Sequence, residues 1–195
     1  MHLGDIAEIK TGLVLTRKKA EVGFETKATY KLLSLKNISE DGMIISDSFE
    51  EFVSNDYLDD HYFTEEGDVL MRLSHPYTAV YIDKEHSGLL VPSYFVIIKV
   101  NQAKILPQYL AWFLNTPTAK HQLEKEQAGS RIPGTNKKAI SNLSILHSPI
   151  SKQKALIKLY QLHQREKTLY MKLLQEKELY FQGITQQLLG GKKDD

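Results

Sequence analysis

From Ser151 to about Leu189 the chain has no proline and one glycine, Gly183. Proline breaks a helix interior and glycine weakens it, so a stretch this long without them can run as one helix. Its apolar residues recur as Leu156, Leu159, Leu162, Leu169, Leu173, Tyr180, Ile184 and Leu188. The steps are mostly three, four or seven, which places them in one stripe. A helix of about 38 residues is roughly 57 Å long. No other segment of the chain can supply a helix of that length to cover the stripe. The cover must come from a second copy or from another protein. Leu159, Leu162, Leu169, Leu173, Tyr180 and Ile184 are the expected seam. Within this stretch "ELYFQG" (Glu178 to Gly183) has the form of a viral-protease cleavage tag, but more helix follows it and it is read as native.

Residues 1–148 have a different texture. "IAEIKTG", "YKLLSLKNI", "MIISDSFEEFV", "GDVLMRLS", "TAVYID" and "YFVIIKV" are short segments of alternating or continuous apolar character separated by turn signals. Such segments at close spacing predict strands. "LPQYLAWFL" then shifts to helical spacing, and Thr116-Pro117 opens a further helix as N-cap and first-turn proline. The reading is an α+β fold: a curved, mostly antiparallel β domain with small helices over 1–148, a long C-terminal coiled-coil helix over 149–189, and a disordered tail at 190–195.

The chain contains no cysteine, which excludes disulfides, zinc-thiolate sites and cysteine nucleophiles and suits a reducing cytoplasm. The N-terminal stretch lacks an apolar core of signal-peptide length, and no run approaches the roughly 20 apolar residues of a membrane span. Net charge is only +1, but its distribution is uneven. Glu40 to Asp68 holds eleven acidic residues and no Lys or Arg, whereas Arg17 to Lys36 holds six basic residues against two acidic ones. A nucleic-acid binder would turn the second segment toward its ligand and the first away. Two solvated faces would give the same pattern.

"EQAGSRIPGTNKKAIS" (Glu126 to Ser141) spaces Gly129 and Gly134 as a phosphate-binding loop does. Thr135 and Asn136 then stand where Lys and Ser/Thr are required, and a polar helical stretch precedes where a buried strand belongs. A nucleotide loop is thereby disfavoured. A turn that stops one helix remains, as does a loop whose Arg131, Lys137 and Lys138 meet nucleic-acid phosphate. No H-E-x-x-H, G-x-S-x-G or G-x-G-x-x-G motif occurs, the seven histidines are scattered, and there is no cofactor loop. These absences favour a binding module without catalysis, metal or cofactor.

Several stretches, taken in order, resemble the specificity subunit of Type I restriction-modification systems. They are "LGDIAEIKTGLVLT", "YKLLSLKNISEDGMI", "EEGDVLMRLS", "LPQYLAWFLNTP" and "GSRIPGTNKKAISNLSILHSPISKQKALI", followed by the long helix. The likeness spans about 1–189 and departs at Lys152, where an acidic residue usually precedes Gln153. It implies a target-recognition domain that binds one part of a split site in double-stranded DNA. It also implies long antiparallel helices that set the spacing of half-sites and dock methyltransferase subunits and, through them, a restriction subunit. The usual subunit carries two such domains and two helices, so this chain resembles a half-subunit that would pair with itself or with another half-specificity chain.

Candidate DNA contacts follow from donor chemistry. Arg17, Lys18 and Lys19 follow the first strand, and Lys36 and Asn37 end the second, where Asn37 is equally a turn former. Arg72, Ser74, His75 and Tyr77 surround a proline turn expected to be an exposed tip, and Arg131, Lys137 and Lys138 complete the set. Two rival readings stay open: a stand-alone, repressor-like DNA-binding homodimer, and a coiled-coil assembly protein that ignores DNA.

Overall fold

The computed structural model describes residues 1–20, 26–46, 48–127, 134–146 and 148–190. The chain divides into two compact units, Met1–Lys154 and the segment from Ala155 onward. The first is α+β. Its main sheet is antiparallel, in the order β1 (Ala7–Thr11), β6 (Phe95–Val100), β4 (Val69–Arg72), β5 (Ala79–Tyr81). A second antiparallel pair joins β2 (Ala28–Leu32) and β3 (Glu50–Ser54). Three small helices follow: α1 (Pro107–Leu114), α2 (Pro117–Gln127) and α3 (Lys137–Ser141). The long helix α4 runs Ile150–Gly190, within a residue or two of the expected span, the usual uncertainty of helix ends. The tail expected at 190–195 lies outside the described residues beyond Gly190.

The apolar run of β6 buries Phe95, Val96, Ile97 and Ile98 on both faces, as a central strand flanked by β1 and β4 should. Phe95 and Ile97 join Leu70, Val80, Ile82 and Leu33 in the larger core cluster. Leu90 belongs to a smaller cluster with Leu13, Leu32 and Phe52. The backbone N–H of Leu90 donates to Lys31 O and its carbonyl accepts from Leu33 N–H, which stitches the chain before β6 to β2. Gly12 permits a close approach: a Cβ there would stand 2.3 Å from Pro92 O.

"YKLLSLKNI" does not continue as a strand. β2 ends at Leu32, and Leu35–Asn37 is a 3-10 turn. The cause is local: Asn37 Oδ1 accepts from the Ser34 backbone N–H at 2.9 Å and from Ser34 Oγ at 2.7 Å, curling the chain out of extension. "MIISDSFEEFV" is also shorter as a strand than expected, since β3 starts only at Glu50. The expected start of α2 is present, with Thr116 Oγ1 accepting from Ala119 N–H at 3.3 Å and Pro117 in the first turn.

The Gly-Asp turn before β4 is built on Gly67, with φ +94°, and on buried Asp68. Asp68 accepts from Glu65 N–H at 2.8 Å and from Lys99 Nζ at 3.0 Å. Burial pushes the Asp68 carboxyl above the usual range, against the opposing pull of the Glu65 N–H and Lys99. Burial also works against the charge on Lys99, but its hydrogen bonds to Glu65 and Asp68 prevail and hold its pKa above the usual value.

Candidate nucleic-acid interface

The turn between β4 and β5 is closed by Arg72 N–H to Thr78 O at 3.0 Å and Tyr77 N–H to Ser74 O at 2.9 Å. His75 is exposed at its tip, and Arg72 and Ser74 are half-buried. Tyr77 corrects the expectation of an exposed His-Pro-Tyr tip. Its φ of +54° turns the side chain inward, where it is 5% exposed with its ring edge-on to His75 at 5.8 Å. A base-reading role for that ring is thereby removed.

Just before α3, residues 134–136 meet this turn. Thr135 N–H donates to Leu73 O at 2.7 Å. Asn136 caps α3, its Oδ1 accepting from Ala139 N–H at 3.0 Å, and α3 buries Ala139 and Ile140 while exposing Lys137 and Lys138. "GTNKK" is therefore a cap and a short helix, with Thr135 buried. The Leu73–Thr135 backbone bond joins the segment that precedes Lys137 and Lys138 to the turn that carries Ser74 and His75. Arg131 lies outside the described residues. Among the described residues, the buried side-chain polar atoms without a hydrogen bond are Arg72 Nε, Thr78 Oγ1 and Thr135 Oγ1, all on this hairpin and the segment bonded to it.

The remaining candidates sit against β3 and its flanks. Arg17 ends a 3-10 turn (Leu15–Arg17) and is exposed, as is Lys19, which bridges to Ser54. Lys18 is engaged with Asp56 at 2.7 Å, and that hydrogen bond lowers the Asp56 carboxyl below its usual range. Lys36 pairs with Glu50 at 2.6 Å. Asn37 is 2% exposed, and its amide nitrogen donates to Ser48 O at 2.8 Å and Ile45 O at 3.3 Å. With its oxygen on Ser34, no edge is left to read adenine, and Asn37 is a turn former.

Sequence reasoning missed four residues that lie beside Lys137. Lys10 and Thr11 at the end of β1, with His61 and Tyr62 in a 3-10 turn (Asp60–Tyr62), line a cleft of about 310 Å³ together with Lys137. No signal at positions 10, 61 and 137 announces their proximity, because only tertiary packing creates it.

One arrangement has the order of a hydrolytic triad. Ser46 Oγ lies 2.8 Å from His86 Nε2, and His86 Nδ1 lies 2.6 Å from Asp83 Oδ1. The same carboxylate oxygen caps the backbone N–H of His86 at 3.1 Å, in the 3-10 turn Lys84–His86. The three residues staple the loop of Ser46 to that turn.

On α4 the expected seam is exposed, from Ile184 at 37% to Tyr180 at 72%. Tyr170, Leu174, Phe181 and Leu188 are exposed too, so the apolar arc is wider than the seam. At the helix start, Gln153 is 1% exposed. Its Oε1 accepts from Leu106 N–H at 2.8 Å, and its Nε2 donates to Ser148 O at 2.7 Å and Lys104 O at 3.1 Å. Among the described residues no helix is long and apolar enough to cross a membrane.

No protein-family model and no curated protein matches the sequence. Solved structures do match in fold. The HsdS subunit from Thermoanaerobacter tengcongensis superposes with a TM-score of 0.67 at 17% identity, over 96% of this chain and 48% of that one. A chain from a structural study of complex assembly and conformational transition in the type I R-M system gives 0.69 at 16%, over 96% and 48%. The S subunit of the Type I restriction-modification system from M. genitalium gives 0.53 at 14%, over 92% and 42%. The chain spans about half the length of each of these proteins. Its fold is that of one half of a Type I restriction-modification S subunit.

Proposed function

We propose that this chain is a non-catalytic DNA-specificity component of a Type I restriction-modification complex. Residues 1–148 recognise one part of a split site in double-stranded DNA. Helix α4 pairs antiparallel with a second copy and holds methyltransferase subunits, through which a restriction subunit is directed to the site. The observation that carries this reading is the match of 96% of the chain to 48% of an HsdS subunit. A two-fold dimer of this chain would restore the length of the whole.

Charge favours the antiparallel arrangement. Residues 150–170 of α4 carry five cations and one acid, a net +4, and residues 171–190 carry two of each and are neutral. A parallel pair would set the two +4 halves side by side, while an antiparallel pair sets each against a neutral half.

Selection from a random duplex library, with and without a methyltransferase subunit, tests the reading. Enrichment of a split palindrome is the expected result. No enrichment under either condition would overturn it. Arg17→Ala should weaken binding to all sequences equally and lower the slope of log affinity against log salt by about one.

A further inference from the structure

The five residues around the 310 Å³ cleft share a chemical property. Lys10 and Lys137 carry ammonium groups, Thr11 and Tyr62 hydroxyls, and His61 a ring N–H, so every lining side chain has a donor and none has a carboxylate. Three segments far apart in sequence bring them together: the end of β1, the 3-10 turn Asp60–Tyr62 and the start of α3. Among the described residues the Thr11 hydroxyl, the Tyr62 hydroxyl and the Lys137 ammonium make no hydrogen bond or ion pair.

Two carboxylates contact the donors, and Lys10 also acts on the second of them, Asp59. Glu8 holds Lys10 at 3.1 Å, with both partners substantially exposed, so that contact is weak and exchangeable. Asp59 accepts from the His61 backbone N–H and from its Nδ1, which leaves Nε2 unbonded. The His61 ring also lies against Tyr62, with centroids 3.9 Å apart. Asp59 and Tyr62 thus fix the imidazole while the cleft stays lined by donors.

We infer that this cleft is an anion site that takes one phosphate group of a nucleic-acid backbone. Two lysines, two hydroxyls and an imidazole are the donor types that hold backbone phosphate. Lys137 of the cleft lies two residues after Thr135, whose N–H is bonded to Leu73 O of the β4–β5 turn, so a backbone phosphate here would sit close along the chain to the point where that turn is tied down. The inference rests on the DNA-recognition reading and adds Lys10, Thr11, His61 and Tyr62 to it.

The test uses the full chain and a mixed-sequence duplex over a range of salt concentrations. The variants are the double substitution Lys10→Gln with Lys137→Gln, and Lys84→Gln as an exposed lysine elsewhere. The expected result is a slope lower by about 0.9 in the double variant, the value of one phosphate on B-DNA. The melting temperature and the slope of Lys84→Gln should match those of the unmodified chain. An unchanged slope in the double variant, with the unmodified chain binding DNA, would overturn the cleft and leave DNA recognition standing. An equal fall in Lys84→Gln would also overturn it, because it would mark a general charge effect. Should the unmodified chain bind no duplex, titration with inorganic phosphate separates the sources. Phosphate binding lost in the double variant would replace the backbone assignment with a free-anion site.

Discussion

Asn37, Tyr77 and Lys18 carry donor groups suited to DNA, but Asn37 is bonded within its own turn, the Tyr77 ring is buried, and Lys18 is held in an exposed, exchangeable pair with Asp56. Nothing in a linear sequence says whether a polar group faces the backbone or the solvent. Arg72, Ser74, His75, Lys137 and Lys138 stay candidates, read from donor chemistry beside a turn or cap, which is local information. Asn37→Ala should lower stability by about 1–3 kcal/mol in urea denaturation, since the buried Asn37 side chain bonds Ser34, Ile45 and Ser48 and each such bond contributes about 0.5–1.5 kcal/mol. DNA affinity of the folded fraction should stay unchanged. Lys99→Met should cost about 1.5–3 kcal/mol at neutral pH, the worth of hydrogen bonds to a charged group, by leaving ionised Asp68 buried without its cation. The Asp68 carboxyl is already raised above 3.8 by burial, so its folded form gains protons before its unfolded form. The deficit of the variant should therefore shrink as pH falls and protonation removes the unpaired charge, which melting curves across acid pH would show. Ser46 should resist a fluorophosphonate probe at neutral pH, consistent with a stapling role; labelling of Ser46 would revive an enzyme reading.

Elements differ in how far the sequence exposes them. α4 was legible because a period of three and four over so long a span needs no tertiary information, and β6 because an unbroken apolar run fits a central strand. α3 escaped notice: five residues give too little periodicity, and its cap, Asn136, is also an ordinary loop residue. The order β1-β6-β4-β5 was not legible either, since β1 and β6 pair across most of the unit's length. For α4, Leu169→Glu should dissociate the proposed dimer, because a carboxylate would be buried unpaired in the seam. Sedimentation at equilibrium checks this, and a dimer that persists would place Leu169 outside the interface.

At the scale of the whole molecule, the absence of cysteine makes a direct geometric test available. A spin label on Ser151→Cys would report the distance between equivalent helix starts in the proposed dimer. The 41 residues of α4 span about 61 Å, so an antiparallel pair in full overlap predicts a separation near that length. A parallel pair predicts roughly 10–20 Å, the width of two packed helices. The likeness to half of an S subunit was legible in a handful of short stretches taken in order, although identity to the solved subunits is only 14–17%.

The bond from Thr135 N–H to Leu73 O ties two segments that are more than sixty residues apart in the chain. Its acceptor is a backbone carbonyl, which any residue at position 73 supplies. The tie therefore constrains the path of the hairpin and leaves its side chains free: substitutions along residues 72–78 that keep the path should leave α3 in place, whereas a change in hairpin length should displace the carbonyl and loosen residues 134–141 with it.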